Sequence, residues 1–94
     1  MAELLRVHRE DILAAAHRHG ARSIRVFGSA AKGEVTVASD VDFLVDMGED
    51  ATLFDRAALM LELQRLLGCD VDVVTEKALK PRVRQTVLRE AMPL

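Results

Sequence analysis

Apolar residues recur with the spacing of a helix in three long segments of the chain. This spacing predicts helices over 3–19 and 52–67, and a final helix that starts near Pro81 and is closed by Pro93. A short helical turn is also expected over 29–31, directly after an apolar run. The helix over 52–67 is predicted to face a sheet through one apolar side. That side comprises Phe54, Ala57, Ala58, Leu61 and Leu67.

Between the helices, apolar and polar residues alternate with the two-residue period of a strand. The alternation predicts strands over 21–27, 40–47 and 70–74, and turn-forming residues predict a loop over 33–39. The resulting order of elements is α-β-α-β-α-β-α. We therefore expect an α/β (α+β) fold in which helices flank a small mixed β-sheet, with residues 1–94 forming a single domain.

The second predicted strand begins with two acids, Asp40 and Asp42, two residues apart. Because side chains alternate between the faces of a strand, both carboxylates project to one side while Val41 and Phe43 point into a core. Two carboxylates in one small space repel each other, and a divalent cation relieves that repulsion. Hard Mg²⁺ takes carboxylate and phosphate oxygens as ligands. The pair therefore predicts a magnesium site.

The surroundings of this pair favour a nucleotide as the ligand. Gly28 and Ser29 end the first predicted strand, and a tight turn there can hold phosphates through backbone N–H groups. Asp72 lies between valines in the third predicted strand and could join the acidic pair. Three carboxylates beside two metal ions and a nucleoside triphosphate are typical of phosphoryl or nucleotidyl transfer. Asp70 projects to the same face and remains an alternative third acid.

Three sequence segments resemble motifs of the DNA polymerase β-type nucleotidyltransferase superfamily. They are VFGSAAKG at 26–33, SDVDFLV at 39–45 and VDVV at 71–74. Within that superfamily they look most like the minimal nucleotidyltransferases, the MNT antitoxins that pair with HEPN-domain toxins. The resemblance covers nearly the whole chain and implies the polymerase β-type core as its fold.

The resemblance implies a role for each motif residue. Gly28 and Ser29 would contact the triphosphate of ATP, and Lys32 would attract its phosphates. Lys32 stands where the family often has Arg, so the charge is kept but the planar fork is lost. The implied ligands of two Mg²⁺ ions, which also form the implied catalytic set, are Asp40, Asp42 and Asp72.

The resemblance further implies a reaction and a partner. AMP would pass from ATP to a tyrosine hydroxyl of a HEPN toxin, and this modification would silence the RNase activity of the toxin. One alternative is a non-catalytic antitoxin that blocks its toxin by steric binding. Another is a nucleotidyltransferase for a small molecule, which would need an acceptor lobe for which 94 residues leave no room.

Composition indicates the class of protein and the compartment in which we expect it. Half of the residues are apolar and 30% are charged, which is typical of a globular domain. The one cysteine, Cys69, fits a reducing compartment, and no leader or membrane-spanning pattern is recognised, so we expect a cytoplasmic protein. Residues 34–55 carry seven acids and no Lys or Arg. Direct nucleic-acid binding is not expected, since it needs a concentrated basic face.

The C-terminal part of the chain is basic. The simpler interpretation is a solvated helix face, and the alternative is contact with nucleotide phosphates or with the toxin. The cations concerned are Lys77, Lys80, Arg82, Arg84 and Arg89.

Overall fold

The structure is a computed structural model that describes residues 1–33 and 40–94. The predicted loop over 33–39 lies outside the described residues apart from Gly33, and so does Ser39. The helices are Glu3–Val7 (α1), Arg9–Arg18 (α2), Leu53–Leu67 (α3) and Pro81–Glu90 (α4). The strands are Ala21–Phe27 (β1), Val41–Met47 (β2), Val71–Thr75 (β3) and Met92–Pro93 (β4).

These strands form one mixed sheet in the order β3-β2-β1-β4. Strand β1 pairs antiparallel with β2 and with β4, whereas β2 and β3 run parallel. A parallel pair needs a crossover between its strands, and α3 supplies it. The predicted small mixed sheet with flanking helices is therefore confirmed.

The main core lies between one face of the sheet and helices α1, α2 and α3. Val41, Phe43 and Val45 point into it from β2, because alternate residues of a strand share a face. Phe43 is fully buried, and burial of such a side chain contributes roughly 1.5–3 kcal/mol to stability. This packing fixes the face of β2 that is left for Asp42.

The other face of the sheet is only partly covered. Leu44 projects there from β2 and is buried outside the main core, as is Val87 of α4. Arg84 of α4 lines the same surface cleft as Leu44, so α4 lies along this face. Asp42 projects to the same face as Leu44 and lies near the N-terminal end of β2.

Two predicted helices differ in the structure. The segment 3–19 is not one helix, because the chain turns at His8 between α1 and α2. The helical turn expected over 29–31 is a single 3-10 turn at Gly28–Ala30. This turn directly follows β1, so Gly28 comes immediately after the last residue of the strand.

The predicted inner face of α3 is wrong for Phe54, Ala57 and Leu61, all three of which are exposed. Phe54 is 87% exposed and Leu61 is 51% exposed. The core is instead filled by Leu59, Leu63 and Leu67, of which only Leu67 was expected there. Apolar residues occupy more than one side of α3, so spacing alone could not choose between the sides.

The role predicted for Pro93 also needs correction. Helix α4 ends at Glu90, and Met92 and Pro93 continue as a short strand at the edge of the sheet. They pair with Val26 and Arg25. Proline is tolerated there because an edge strand does not need every N–H group for its ladder. Among the described helices, none has the length and apolar character that a membrane span requires.

Candidate active site

Gly28 brings the backbone directly against the carboxylate of Asp42. Strand β1 ends at Phe27, which pairs with Asp42 across the sheet. Gly28 then adopts a left-handed conformation, with φ +73°. A Cβ atom at this position would lie 2.7 Å from Asp42 Oδ2, a contact too short for any side chain. Glycine is therefore favoured by the left-handed turn, and any side chain here would also displace the Asp42 carboxylate.

Asp42 and Asp72 are neighbours across the parallel strands β2 and β3. They occupy the same register position, so their side chains project to the same face of the sheet. Asp40 precedes β2 by one residue and is exposed. The three acids thus lie at one end of the sheet, next to the Gly28 turn.

Burial raises the pKa of the Asp42 carboxyl above its usual value, and the negative charges of Asp72 and Asp40 raise it further. The charges of both neighbouring acids therefore reach Asp42. A cation bound among the three carboxylates would remove this repulsion.

The geometry favours Asp72 over Asp70 as the third acid. Asp72 is in register with Asp42 and raises the pKa of Asp42, whereas the charge of Asp70 does not contribute to that shift. Asp70 lies at the mouth of β3, where its carbonyl accepts a hydrogen bond of 3.0 Å from the Val41 N–H. Burial raises the pKa of the Cys69 thiol, and the negative charges of Asp70 and Asp40 raise it further.

The residues present fit a divalent cation by their chemistry. Carboxylate oxygens are the hard ligands that Mg²⁺ prefers, and those of Asp42 and Asp72 share one face. Within residues 1–33 and 40–94, no three Asp, Glu, His or Cys side chains are gathered closely enough to hold a metal ion. The acids are therefore adjacent but do not form a closed ligand set.

Ser29 and Lys32 lie on the other side of the Gly28 turn. Ser29 is half-buried in the 3-10 turn, and its carbonyl accepts a hydrogen bond of 3.1 Å from the Lys32 N–H. The Lys32 ammonium is 3.8 Å from a carboxylate oxygen of Glu90 in α4. Lys32 is more than half exposed, so this ion pair leaves it accessible to phosphate.

Sequence reasoning missed a cleft at the opposite end of the same sheet face. Arg25 pairs with Leu44 in the β1–β2 ladder, and both line the cleft. The alternation of Arg25 with Ile24 and Val26 already placed it away from the core. The pairing of β1 with β2, which the sequence pattern did not predict, would have placed it on the face of the acids.

Comparison with known proteins assigns the chain to a family. The profile of the nucleotidyltransferase domain family matches residues 10–93 of this chain. The chain belongs to the nucleotidyltransferase domain family and is an enzyme of that class. A solved structure assigned to the minimal nucleotidyltransferases is 53% identical, with a TM-score of 0.89, and the match covers 100% of this chain and 97% of that one. The predicted resemblance is thereby confirmed.

Curated relatives come from archaea. The protein adenylyltransferase MntA of Thermococcus cleftensis is 40% identical over 89 residues, which cover 95% of this chain and 87% of the relative. A protein of Methanocaldococcus jannaschii assigned as a protein adenylyltransferase is 39% identical over 75 residues, covering 80% of this chain and 81% of the relative. Both alignments span most of each protein.

Solved toxin–antitoxin complexes share the fold. A toxin–antitoxin structure with AMP-PNP is 23% identical, with a TM-score of 0.76, over 89% of this chain and 69% of that one. The MNT antitoxin in complex with tri-AMPylated HEPN toxin from Shewanella oneidensis is 20% identical, with a TM-score of 0.70. That match covers 94% of this chain and 69% of the other. At these identities the likeness shows the fold alone.

Proposed function

We propose that this chain transfers AMP from ATP to a tyrosine hydroxyl of a HEPN-domain RNase toxin and so inactivates that toxin. The observation that carries the proposal is the register of Asp42 with Asp72 beside the glycine turn at Gly28. Membership of the nucleotidyltransferase family gives that geometry its reaction class. The relatives named protein adenylyltransferases support a protein as acceptor.

Each site residue has a defined part in this proposal. Backbone N–H groups of the Gly28–Ala30 turn and the Ser29 hydroxyl would bind the β- and γ-phosphates of ATP, with Lys32 adding positive charge. Asp40, Asp42 and Asp72 would hold Mg²⁺, with two ions proposed. When bound, the ions would lower the pKa of the acceptor hydroxyl and neutralise charge on the phosphates.

The transfer itself is a substitution at the α-phosphorus of ATP. The acceptor hydroxyl lies beside Asp72, whose carboxylate accepts its proton as the oxygen attacks. A bond forms between that oxygen and the α-phosphorus, and the bond from the α-phosphorus to the bridging oxygen breaks. Pyrophosphate leaves with the electron pair, and donors of the Gly28–Ala30 turn stabilise the charge that develops on it.

Intact-mass measurement of a co-expressed HEPN partner tests the proposal. We expect toxin expressed with the wild-type chain to gain the mass of one or more AMP groups, and toxin expressed with Asp42→Asn to stay unmodified. Asp50→Asn is the matched control, because Asp50 is an exposed acid in the turn after β2. Toxin that remains unmodified with the wild-type chain, ATP and Mg²⁺ would overturn the proposal.

One observation favours steric inhibition as a second candidate function. Leu53, Phe54 and Leu61 form an exposed apolar surface on α3 that a protein partner could cover. Steric inhibition predicts that a chain with Asp40 and Asp42 both replaced by Asn still protects cells from the toxin. Catalytic silencing predicts that the same variant fails to protect while it remains folded by circular dichroism.

A further inference from the structure

A cleft of about 720 Å³ opens at the far end of the strands that carry the acids. Its floor includes Leu44 and Asp46 of β2, with Arg25 of β1 beside them. Thr75 ends β3 at the same end and Lys77 follows it, while Arg84 of α4 forms another wall. The cleft is therefore built from residues of all three long strands and of the helix that lies along this face.

The cleft and the acidic site share one face of the sheet. Asp42, Leu44 and Asp46 are alternate residues of β2, so their side chains project to the same side. Asp46 lies four positions after Asp42 in the strand, which corresponds to about 13 Å at 3.3 Å per residue. A polypeptide in extended conformation covers the same distance in four residues. A chain whose acceptor residue reaches Asp42 can therefore place a residue four positions away in the cleft.

Cations predominate inside the cleft. Arg22 forms an ion pair of 3.2 Å with Asp46, and the other lining acids, Glu49 and Glu76, are exposed. Arg25 and Lys77 form no salt bridge with any residue among 1–33 and 40–94. The lining of the cleft carries four cations and three acids, so its net charge is +1, and only Arg22 among these cations forms an ion pair with a described residue.

Arg84 has a buried hydrogen-bond donor without an acceptor among the described residues. Its Nη2 donates to the Leu79 carbonyl at 3.1 Å. Its Nε is the one buried side-chain nitrogen or oxygen that lacks a hydrogen-bond partner within the described residues. A buried donor without an acceptor costs free energy. A carboxylate that reached Arg84 from the cleft would supply an acceptor, and the planar fork of arginine suits such a ligand.

We infer that the cleft binds an acidic side chain of the acceptor protein, four residues from the hydroxyl that receives AMP. This inference rests on the proposed protein-modifying function and adds a specificity determinant to it. The nucleoside of ATP is a poorer occupant, because adenine and ribose carry no charge for Arg25 and Lys77 to bind. The triphosphate is accounted for by the Gly28–Ala30 turn at the other end of the face.

A binding assay with synthetic peptides tests the inference without requiring transfer. The probe is a fluorescein-labelled peptide with one tyrosine and one glutamate four residues from it, with matched peptides carrying glutamine or lysine at that position. Fluorescence anisotropy should show that the wild-type chain binds the glutamate peptide about tenfold more tightly than the glutamine peptide, as expected for one charge-assisted hydrogen-bonded pair. The lysine peptide should bind more weakly still.

Charge variants then locate the binding. Arg25→Glu and the milder Arg25→Gln should reduce the preference for glutamate, and so should Lys77→Glu, a change at an exposed residue. Arg82→Glu is the matched control, because Arg82 is an exposed arginine on α4 that does not line the cleft. Circular dichroism confirms that each variant is folded.

The outcomes separate this inference from the proposed function. Equal binding of the three peptides, or an equal loss of preference in Arg82→Glu, overturns the cleft assignment while AMP transfer to the toxin can still occur. Conversely, glutamate-selective binding that depends on Arg25 supports the cleft even if no AMP is transferred, in which case the proposed function fails alone.

Discussion

Position 28 requires glycine for two separate physical reasons. The left-handed backbone conformation, φ +73°, disfavours any residue with a side chain, and the Asp42 carboxylate occupies the space where a Cβ would lie. Gly68 shares only the first constraint. Its φ is +69°, but a Cβ there would meet no atom of the described residues within 4 Å beyond its own chain neighbours. The two glycines therefore allow backbone strain to be separated from displacement of the acid.

We expect Gly68→Ala to lower the free energy of unfolding by about 1–2 kcal/mol, the cost of a left-handed conformation for a residue with a Cβ. Gly28→Ala should cost more, because the methyl group also displaces Asp42, and it should reduce AMP transfer at least tenfold. Urea unfolding and a transfer assay measure both quantities. Equal activity of the two variants would contradict the role given to Gly28.

The repulsion around Asp42 has a consequence for stability. Because the pKa of Asp42 is raised in the folded state, ionised Asp42 opposes folding above that pKa, and the penalty disappears when the pH falls below the unfolded-state value. Asp42→Asn should therefore raise the free energy of unfolding at pH 7 without Mg²⁺, by up to about 1 kcal/mol for partly exposed charges. It should abolish transfer at the same time.

Asp46→Asn serves as the opposite control on the same strand. This change removes the ion pair with Arg22 and should lower stability by roughly 0–1 kcal/mol. Urea unfolding of the wild-type chain and the two variants gives the comparison. If Asp42→Asn had a lower free energy of unfolding than the wild-type chain, the Asp42 carboxylate would stabilise the fold, contrary to this account.

Single residues of the site could be predicted where a local pattern constrained them. The alternation in Asp40-Val41-Asp42 and in Val71-Asp72-Val73 placed the acids on one face, because valines in a strand are drawn to a core. The ion pair of Lys32 with Glu90 could not be predicted in this way, since 58 positions separate them. Only the packing of α4 on the sheet brings them together.

At the scale of elements, α3 shows what helix signals can specify. Thr52 and Asp55 form a capping box in which each side chain accepts a hydrogen bond from the backbone N–H of the other. Gly68 ends the helix in the left-handed conformation that glycine favours. The bounds of α3 therefore follow from local sequence. Its buried side, through Leu59 and Leu63, depends on the sheet beneath it and was not predictable from spacing.

Helices α2 and α3 are joined by an ionic cluster around Glu62. Arg18 and His19, at the end of α2, both contact the Glu62 carboxylate, His19 at 3.4 Å. Partial burial by itself raises the pKa of Glu62, but the hydrogen bonds and positive charge of His19 and Arg18 outweigh this effect. The net result is a pKa below the usual 4.5. The cluster should therefore stabilise the packing of these helices while Glu62 is ionised.

The pH dependence of this cluster follows from the sign of the shift. Because the folded-state pKa of Glu62 is lowered, its contribution is fully present above about pH 4.5 and is lost as the pH falls through the folded-state value. At pH 7, Glu62→Gln should reduce the free energy of unfolding by about 0.2–1 kcal/mol. The difference from the wild-type chain should shrink in acid. A difference that stays constant down to pH 3 would contradict this account.

At the scale of the whole molecule, topology determines the site. The order of helices and strands was largely readable from hydrophobic periodicity, but the edge strand β4 is too short, at two residues, to leave a pattern. The pairing of β1 with β2 and of β2 with β3 is set by long-range packing. That pairing brings Gly28, Asp42 and Asp72 together at one end of a face and collects Arg25 and Arg84 at the other.

Charge is distributed over the molecule in a way that fits the proposed reaction. Most acids of the chain lie between 34 and 72, whereas residues 76–94 are basic. An acidic end of the face suits metal ions, and a basic cleft suits an anionic acceptor. The same face would therefore hold the nucleotide and the reacting hydroxyl at its acidic end and an acidic side chain of the protein substrate in the basic cleft.

Labelling ATP at its α- or γ-phosphate tests the central claim, nucleotidyl transfer at the Asp42–Asp72 pair, most directly. Purified wild-type chain, Mg²⁺ and unmodified HEPN partner are incubated with each label, beside Asp42→Asn and Asp50→Asn. The account predicts that only the α-label enters the partner and that Asp50→Asn retains this activity. In Asp42→Asn, the rate of α-label incorporation should fall at least about a hundredfold. Incorporation of the γ-label, or undiminished α-labelling by Asp42→Asn, would contradict it.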